Sequence, residues 1–412
     1  MIKFIDEKEA IEKYGKGLET PVLYTVFNRI DLVEKTFGQI KKVKPKKLYI
    51  AQDGLREHVE GDKEKVLSVR DYILSNIDWG CEVKTLFREK NLGLNNALIG
   101  AINWFFENEE QGIFVEEDIY MSLSGFYFLE KMLNRFENDN DIWFVLAYNI
   151  LNRTDMRYDY AKTDFFISWG WAGWKDKWKK VSFKKIQEVD FIDNCFENKR
   201  LANTQKTFIK TFIKSAGFLA YDLTIHIETI LNHAYIIIPK YPLSVHLGFG
   251  ESTYNTTLFN ESLHIYHPKI EDIKEIDVEY LEDYKEIPIV KTFENWCTIW
   301  EKIIDFPISD SKSEASISNI ASNYKKIVIY GAGIAGRQLY AAYEDIISDK
   351  VCCFLDDDPK DAEFMGKPVI KPQDIPDDVD LVIISPQSRK AYENMKEKIA
   401  GKNTLWLRDL LF

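Results

Sequence analysis

Short apolar runs alternate with longer segments of helical spacing from Thr20 to about Pro268. Pro21–Phe27, Lys47–Ala51, Cys81–Phe87 and Gln111–Val115 predict buried strands. Asp31–Ile40, Asp62–Asn76 and Gly93–Glu107 predict the helices between them, the second with Val66, Val69 and Ile73 on one side. A helix over Thr224–His233 and a strand over Tyr235–Pro239 follow. Strand–helix–strand units of this length predict a mostly parallel sheet with right-handed crossovers. No fixed solenoid period is present.

The pattern changes after Pro268. Residues 270–305 are acidic and predict helix, with an amphipathic piece around Phe293, Trp296, Trp300 and Ile303. Serines crowd the stretch from Ser309 to Ser322, which predicts a linker. Lys326–Tyr330 opens a second α/β unit. The expected division is a first domain over 1–269, a helical segment and linker over 270–322, and a second domain over 323–412, with the main boundary near 320.

Composition narrows the class. A chain of 412 residues, 45% hydrophobic and 14% aromatic, has apolar material for the cores of two or three domains. The net charge of −12 argues against a nucleic-acid binder. The basic stretch from Lys41 to Lys47 reads as a solvated helix-to-strand turn rather than a lipid contact. The cysteines, Cys81, Cys195, Cys297, Cys352 and Cys353, have no CxxC spacing, which points to a reducing compartment and not to a disulfide scaffold or zinc site. The opening residues do not read as a signal peptide, and no apolar run approaches the ~18 residues of a membrane span. The expectation is a cytoplasmic protein without a transmembrane segment, peripheral contact with the inner membrane surface being left open.

Polar residues end successive predicted strands: Asn28-Arg29, Asp53, and Glu116-Glu117-Asp118. Parallel strands share one polarity, so these ends lie along one sheet edge, where open α/β sheets bind ligands. Three neighbouring carboxylates call for a cation. Mg²⁺ or Mn²⁺, sharing ligands with a substrate diphosphate, is the expected one. Arg29 then faces phosphate oxygens or caps the sheet edge. Asp53 accepts from a base N–H or ribose hydroxyl, or merely makes an Asp-Gly turn. Asp118 carries the metal. Downstream stand four tryptophans, Trp169, Trp171, Trp174 and Trp178, followed by Asp222, Glu228 and His246.

These residues together resemble a GT-A fold nucleotide-sugar glycosyltransferase, closest to the inverting N-acetylglucosaminyltransferase I type and its bacterial relatives in surface-polysaccharide synthesis. The resemblance rests on Pro21–Arg29, the Gln52-Asp53-Gly54 turn, Arg88–Asn96, Glu116-Glu117-Asp118, Thr163–Trp174, Tyr221-Asp222 and Ser244–Ser252, and covers residues 20 to 260. It implies a mixed, mostly parallel sheet flanked by helices. It implies Mn²⁺ or Mg²⁺ on Asp118 and a nucleoside-diphosphate sugar, UDP in the first instance, held by Arg29, Asp53, Asn91, Glu116, Glu117, Trp171 and His246. Asp222 is the implied base toward a glycan or lipid-linked acceptor, its alternative being a helix N-cap, with Glu228 in reserve. Trp169 and Trp171 are implied at the sugar pocket, or else in the core with Trp174 and Trp178. His246 is implied at the diphosphate or metal, or else is structural. Glu117 stands where the family often has Asp.

In the second domain a strand leads into Gly331-Ala332-Gly333-Ile334-Ala335-Gly336, and the next strand ends at Asp356. That is the dinucleotide fingerprint, glycines approaching a pyrophosphate and the acid taking ribose hydroxyls. Three strands complete a half-Rossmann unit. It resembles the nucleotide-sugar-binding domains of bacterial sugar acetyltransferases and polysaccharide-synthesis dehydratases, through Asp356–Pro359 and Gly366–Val369. No Tyr-x-x-x-Lys pair is visible. The expectation is a second nucleotide or nucleotide-sugar site at Gly331, Gly333, Gly336 and Asp356 without chemistry, or a docking module. A nucleotide-sugar oxidoreductase or epimerase, and a non-catalytic scaffold, stand as alternatives.

Overall fold

The computed structural model describes residues 2–57, 59–149, 156–183, 197–216, 220–248, 269–290, 311–359, 361–386 and 389–411. The chain divides into two compact units, Met1–Ile186 with Ala220–Phe293, and Gln187–Leu219 with Glu294–Phe412.

The strands of unit 1 are β1 (Phe4–Ile5), β2 (Val22–Val26), β3 (Lys47–Gln52), β4 (Glu82–Phe87), β5 (Gln111–Glu116), β6 (Ile119–Met121), β7 (Ile142–Leu146), β8 (Tyr160–Thr163), β9 (Trp171–Trp174), β10 (Tyr235–Pro239), β11 (Ser244–His246), β12 (Glu275–Ile276) and β13 (Ile289–Val290). Nine of them form one mixed sheet in the order β13-β8-β10-β7-β9-β5-β2-β3-β4. Its centre is buried on both faces, so the strands read as continuous apolar runs. Val22, Tyr24, Ile113 and Val115 enter one core with helices Ile30–Val43 and Leu123–Phe136. Leu23, Tyr49 and Phe114 enter the other with helix Leu94–Asn108. Helix Ile30–Val43 presents Val33, Phe37 and Ile40, and helix Leu94–Asn108 presents Leu98, Ile102 and Phe105, each at the spacing of one helical face.

The predicted helix Thr224–His233 is found over Tyr221–Leu231. Strand β9 runs antiparallel between β5 and β7. Gly170, at φ +86°, makes the turn into it. At Gly173 a β-carbon would lie 2.8 Å from Phe144 Cδ1, so only glycine lets that ring pack across the strand.

Two expectations after Pro268 are corrected. Residues 270–290 join unit 1 as short strands, β12 pairing with β1 and β13 with β8, and two single 3-10 turns, Ile270–Asp272 and Val278–Tyr280, rather than as a continuous helix. Ser311–Asn323, read as linker, is a helix. Its buried Ser313, Ile317 and Ile320 recur at helical spacing and pack into the core of unit 2, and the remaining serines cost little helix propensity. Phe293, Trp296, Trp300 and Ile303 lie outside the described residues. The basic stretch is a helix-to-strand turn, with Lys41, Lys42, Lys46 and Lys47 paired to Asp78, Glu7, Glu19 and Glu109. Among the described residues no helix is long and apolar enough to cross a membrane.

Unit 2 contains β14 (Ile327–Tyr330), β15 (Val351–Leu355), β16 (Glu363–Phe364), β17 (Lys367–Ile370), β18 (Leu381–Ile384) and β19 (Thr404–Trp406), in the order β16-β17-β15-β14-β18-β19. All are parallel except the edge strand β16. The sheet therefore carries strands beyond the half-Rossmann expectation, β19 having been too short to read. Helix Lys199–Ala216 belongs to this unit, its Arg200 Nη1 donating to Ala342 O at 2.7 Å.

Candidate functional site

In the large sheet β2, β3 and β4 progress to one side while β5 lies on the other side of β2. The order reverses between β2 and β5, which places the ligand crevice of such a sheet at their carboxyl ends. Thr25 stands opposite Glu116 there, so Phe27-Asn28-Arg29 and Glu117-Asp118 leave the sheet side by side. Arg29 occupies the N-cap of helix Ile30–Val43 without a side-chain capping bond, and its guanidinium turns to the acids instead.

The three acids do not converge. Glu117 accepts from Arg29 Nε at 2.6 Å and from Phe27 N at 2.6 Å. Its own carbonyl takes the Thr36 hydroxyl, so Glu117 fixes the strand end. Glu116 points to helix Tyr221–Leu231, accepting the Tyr221 hydroxyl at 2.6 Å. Burial, with Asp118 adding to it, pushes the Glu116 carboxyl up to about 8. Burial also raises Glu117, against the pull of Arg29. Asp118 differs. Burial works to raise it, but His246 and Arg29 outweigh that and hold it well below the usual carboxylate range. Its Oδ2 lies 2.8 Å from Arg29 Nη2 and 3.3 Å from His246 Nε2. Removing Arg29 would strand buried carboxylates, at a cost of about 3–5 kcal/mol.

His246 arrives on β11, which pairs antiparallel with β6 and sets His246 opposite Ile119. Gly248 follows, its N–H donating to His246 Nδ1 at 3.2 Å. A β-carbon there would lie 2.7 Å from Asp118 Oδ2 and 2.8 Å from His246 Cε1, so only glycine lets the backbone pass this close to both groups. A carboxylate oxygen and an imidazole nitrogen 3.3 Å apart are donors of the kinds that Mn²⁺ accepts. Among the described residues no cluster of three metal-ligating side chains occurs, so those residues would supply this pair alone. The segment beyond Gly248 that resembles a closing loop lies outside the described residues.

Asp222 sits in the first turn of its helix, where Ala220 holds the cap, so the N-cap alternative does not apply. Its Oδ1 accepts from Leu223 N at 2.8 Å, and burial raises its carboxyl. Its neighbour Tyr221 carries the hydrogen bond to Glu116.

The aromatic assignment changes. Trp171, expected among the donor-binding residues, is 1% exposed and stacks on Phe114 with ring centroids 4.0 Å apart, because β9 runs through the sheet centre. Trp169, just before the turn, is half-buried with its ring 5.2 Å from that of His246. It is the tryptophan at the site.

Asp53 and Asn91 are brought together with each other. Asp53 accepts from Gly54 N, Leu92 N and Gly93 N at 2.9 to 3.1 Å, while Asn91 Nδ2 donates to Gly54 O at 2.8 Å. Gly54 is so close that a β-carbon would lie 2.3 Å from Lys90 C. Asp53 thus locks two strand-end loops together.

Sequence reasoning missed the supports under this edge. Asp62 is buried and accepts from Asn28 Nδ2 at 2.6 Å, Arg56 N at 2.8 Å and Arg56 Nη2 at 2.7 Å. Its hydrogen bonds from Arg56 hold it down at about 2. Gln52, wholly buried, donates to Phe27 O and Val66 O and accepts from Arg70 Nε. Asp62 follows Gly61, a signal indistinguishable in sequence from an ordinary helix start.

In unit 2, Gly331 has φ +104° after β14, and Gly333 caps helix Ile334–Ala342. A β-carbon on Gly336 would lie 2.2 Å from Gly331 O, so the third glycine permits close helix–strand packing. Asp356 accepts from Ala332 N at 3.1 Å and Asp358 N at 3.0 Å, and buried Arg337 donates to Ala332 O at 2.6 Å. The glycine turn is braced by the chain's own side chains.

No protein-family model and no curated protein matches the chain. Similar solved structures include HddC from Yersinia pseudotuberculosis, at 12% identity over 38% of this chain and 77% of that one, TM-score 0.25. S. aureus TarS 1-349 is similar at 11% identity over 54% of this chain and 58% of its own length, TM-score 0.32. UDP-glucose pyrophosphorylase complexed with UDP-glucose is similar at 10% identity over 54% of this chain and 91% of that one, TM-score 0.29. At that distance the likenesses carry no argument about activity.

Proposed function

We propose that unit 1 is a GT-A type, metal-dependent, inverting glycosyltransferase that moves a sugar from a nucleoside-diphosphate donor, UDP in the first instance, to a glycan or lipid-linked acceptor. One observation carries the reading: Arg29, Asp118 and His246 meet at the carboxyl ends of β2 and β5, where the strand order reverses. Asp118 and His246 hold Mn²⁺ or Mg²⁺, which neutralises the departing diphosphate. Arg29, already facing Asp118, is placed to take a phosphate oxygen as well. Trp169 offers a ring face to the sugar. Asp222 takes the proton of the acceptor hydroxyl. Asp53 and Asn91 shape the neighbouring donor loop. Unit 2 we assign to binding a nucleotide or nucleotide-sugar at the glycine turn, without chemistry.

The test is thermal denaturation of the full chain with UDP-sugars, with and without Mn²⁺. Donor and metal together at a hundredfold excess over Kd should stabilise unit 1 by about 2.7 kcal/mol, and neither should do so without the other. If no nucleotide-sugar shifts the transition in the presence of metal, the proposal fails.

A second prediction uses Gly248. The methyl of Gly248→Ala enters the space beside Asp118 and His246, and overpacking of about 1–3 kcal/mol should weaken Mn²⁺–UDP binding about 5–150-fold. Calorimetry checks this. Unchanged affinity would mean that the metal and diphosphate sit elsewhere.

A further inference from the structure

Adjacent residues of a regular strand point to opposite faces of the sheet. Cys352 and Cys353 break that rule. Val351 and Phe354 enter one core of unit 2, whereas Cys352, Cys353 and Leu355 all pack against the other. The register explains it: Ile327 pairs with Val351 and Val328 with Cys353, leaving Cys352 unmatched. A β-bulge at Cys352 therefore turns two neighbouring thiols to the same side, and their sulfurs lie 3.8 Å apart. Cys353 is 2% exposed, while Cys352 is only partly buried.

We propose that Cys352 is a site of reversible thiol–disulfide exchange with small-molecule disulfides, its thiolate held by the Cys353 thiol. The Cys352 thiolate attacks one sulfur of the disulfide. A new Cys352 Sγ–S bond forms, the old S–S bond breaks, and the other half leaves as a thiolate that takes a proton from water. Excess thiol runs the step backwards. The product is the mixed disulfide, because α-carbons across one trans peptide are about 3.8 Å apart, below the usual disulfide span of about 4.4–6.8 Å. The charges around the pair agree. The contact with Cys353, helped by Lys326 and opposed by burial and Asp378, brings the Cys352 thiol down to about 7. Burial raises Cys81, the remaining part-exposed cysteine among the described residues.

The experiment uses the full chain carrying Cys195→Ser and Cys297→Ser, since those positions lie outside the described residues. It is incubated with oxidised glutathione at pH 7 and the adducts are located by mass spectrometry. Cys352 should be modified about tenfold faster than Cys81 and released by dithiothreitol. Adding Cys353→Ala should slow Cys352 and move its pH midpoint upward. Equal labelling of Cys81 and Cys352 would overturn the proposal, and this comparison needs no change at Cys353. A folded Cys353→Ala chain with the parent's rate and pH profile would overturn the role of Cys353.

Discussion

Asp222→Asn is expected to lower sugar transfer by about 10²–10⁴ while donor affinity stays within about twofold. The asparagine keeps an oxygen where Asp222 Oδ1 accepts from Leu223 N, so the first turn of the helix is preserved. What it loses is a lone pair basic enough to take a proton. Burial raises the Asp222 carboxyl, which makes its carboxylate a stronger base than one in water. The sign of the pH effect follows. The base works deprotonated, so transfer should fall as pH drops through that raised pKa, at a higher pH than an ordinary carboxylate would give. The variant should lose this acidic limb along with its rate. UDP release, measured as kcat and KM across pH, checks both. Turnover close to that of the parent with the limb intact would shift the role elsewhere. Glu228, the reserve candidate, is poorly placed to inherit it, being buried nearly two turns along the helix and bonded by Asn232.

Much of this frame was legible because burial writes itself into sequence. The central strands of unit 1 are covered on both faces, so β2, β3 and β5 stood out as apolar runs, and the polar residues ending them marked the crevice. Strand β9 was not legible. Its Trp-Ala-Gly-Trp sequence has no run of β-branched residues, and it is a strand because Gly173 lets Phe144 pack across it. That omission misled the choice between Trp169 and Trp171, since the pattern does not say where a turn ends and the sheet centre begins. The direction of each acid was equally hidden. Adjacent residues leaving a strand diverge, so Glu116 reaches Tyr221, Glu117 reaches Phe27 N, and Asp118 is the acid that meets His246. The partner that separates Asp118 from its neighbours comes from more than a hundred residues downstream, through the pairing of β6 with β11.

Asp62 and Gln52 carry the same lesson about support. Gln52 ends β3, Asp62 opens a helix, and each looks local in sequence. Together they hold Phe27 O, Asn28 and Arg56, and so fix the backbone from which Arg29 departs. Buried polar groups of this kind are costly unless every bond is made, which is why the edge is rigid where the reacting groups need it to be.

Asp118→Ala is expected to weaken Mn²⁺-dependent UDP binding by about 10²-fold or more, because it removes the carboxylate proposed to hold the cation. The fold should survive the change. Arg29 keeps its 2.6 Å bond to Glu117, so no guanidinium is left buried without an acid, and Leu247 N still donates to the residue 118 carbonyl, a bond the alanine retains. Asp118→Asn provides a second reading, since it retains the shape but not the charge and should fall between parent and alanine. Titration calorimetry with UDP, run with Mn²⁺ and with chelator, separates the effects. The parent should bind far more tightly with metal, and the alanine variant should bind equally weakly in both. An alanine variant that still gains affinity from Mn²⁺ would detach the cation from Asp118, and with it the chemistry assigned to the carboxyl ends of β2 and β5.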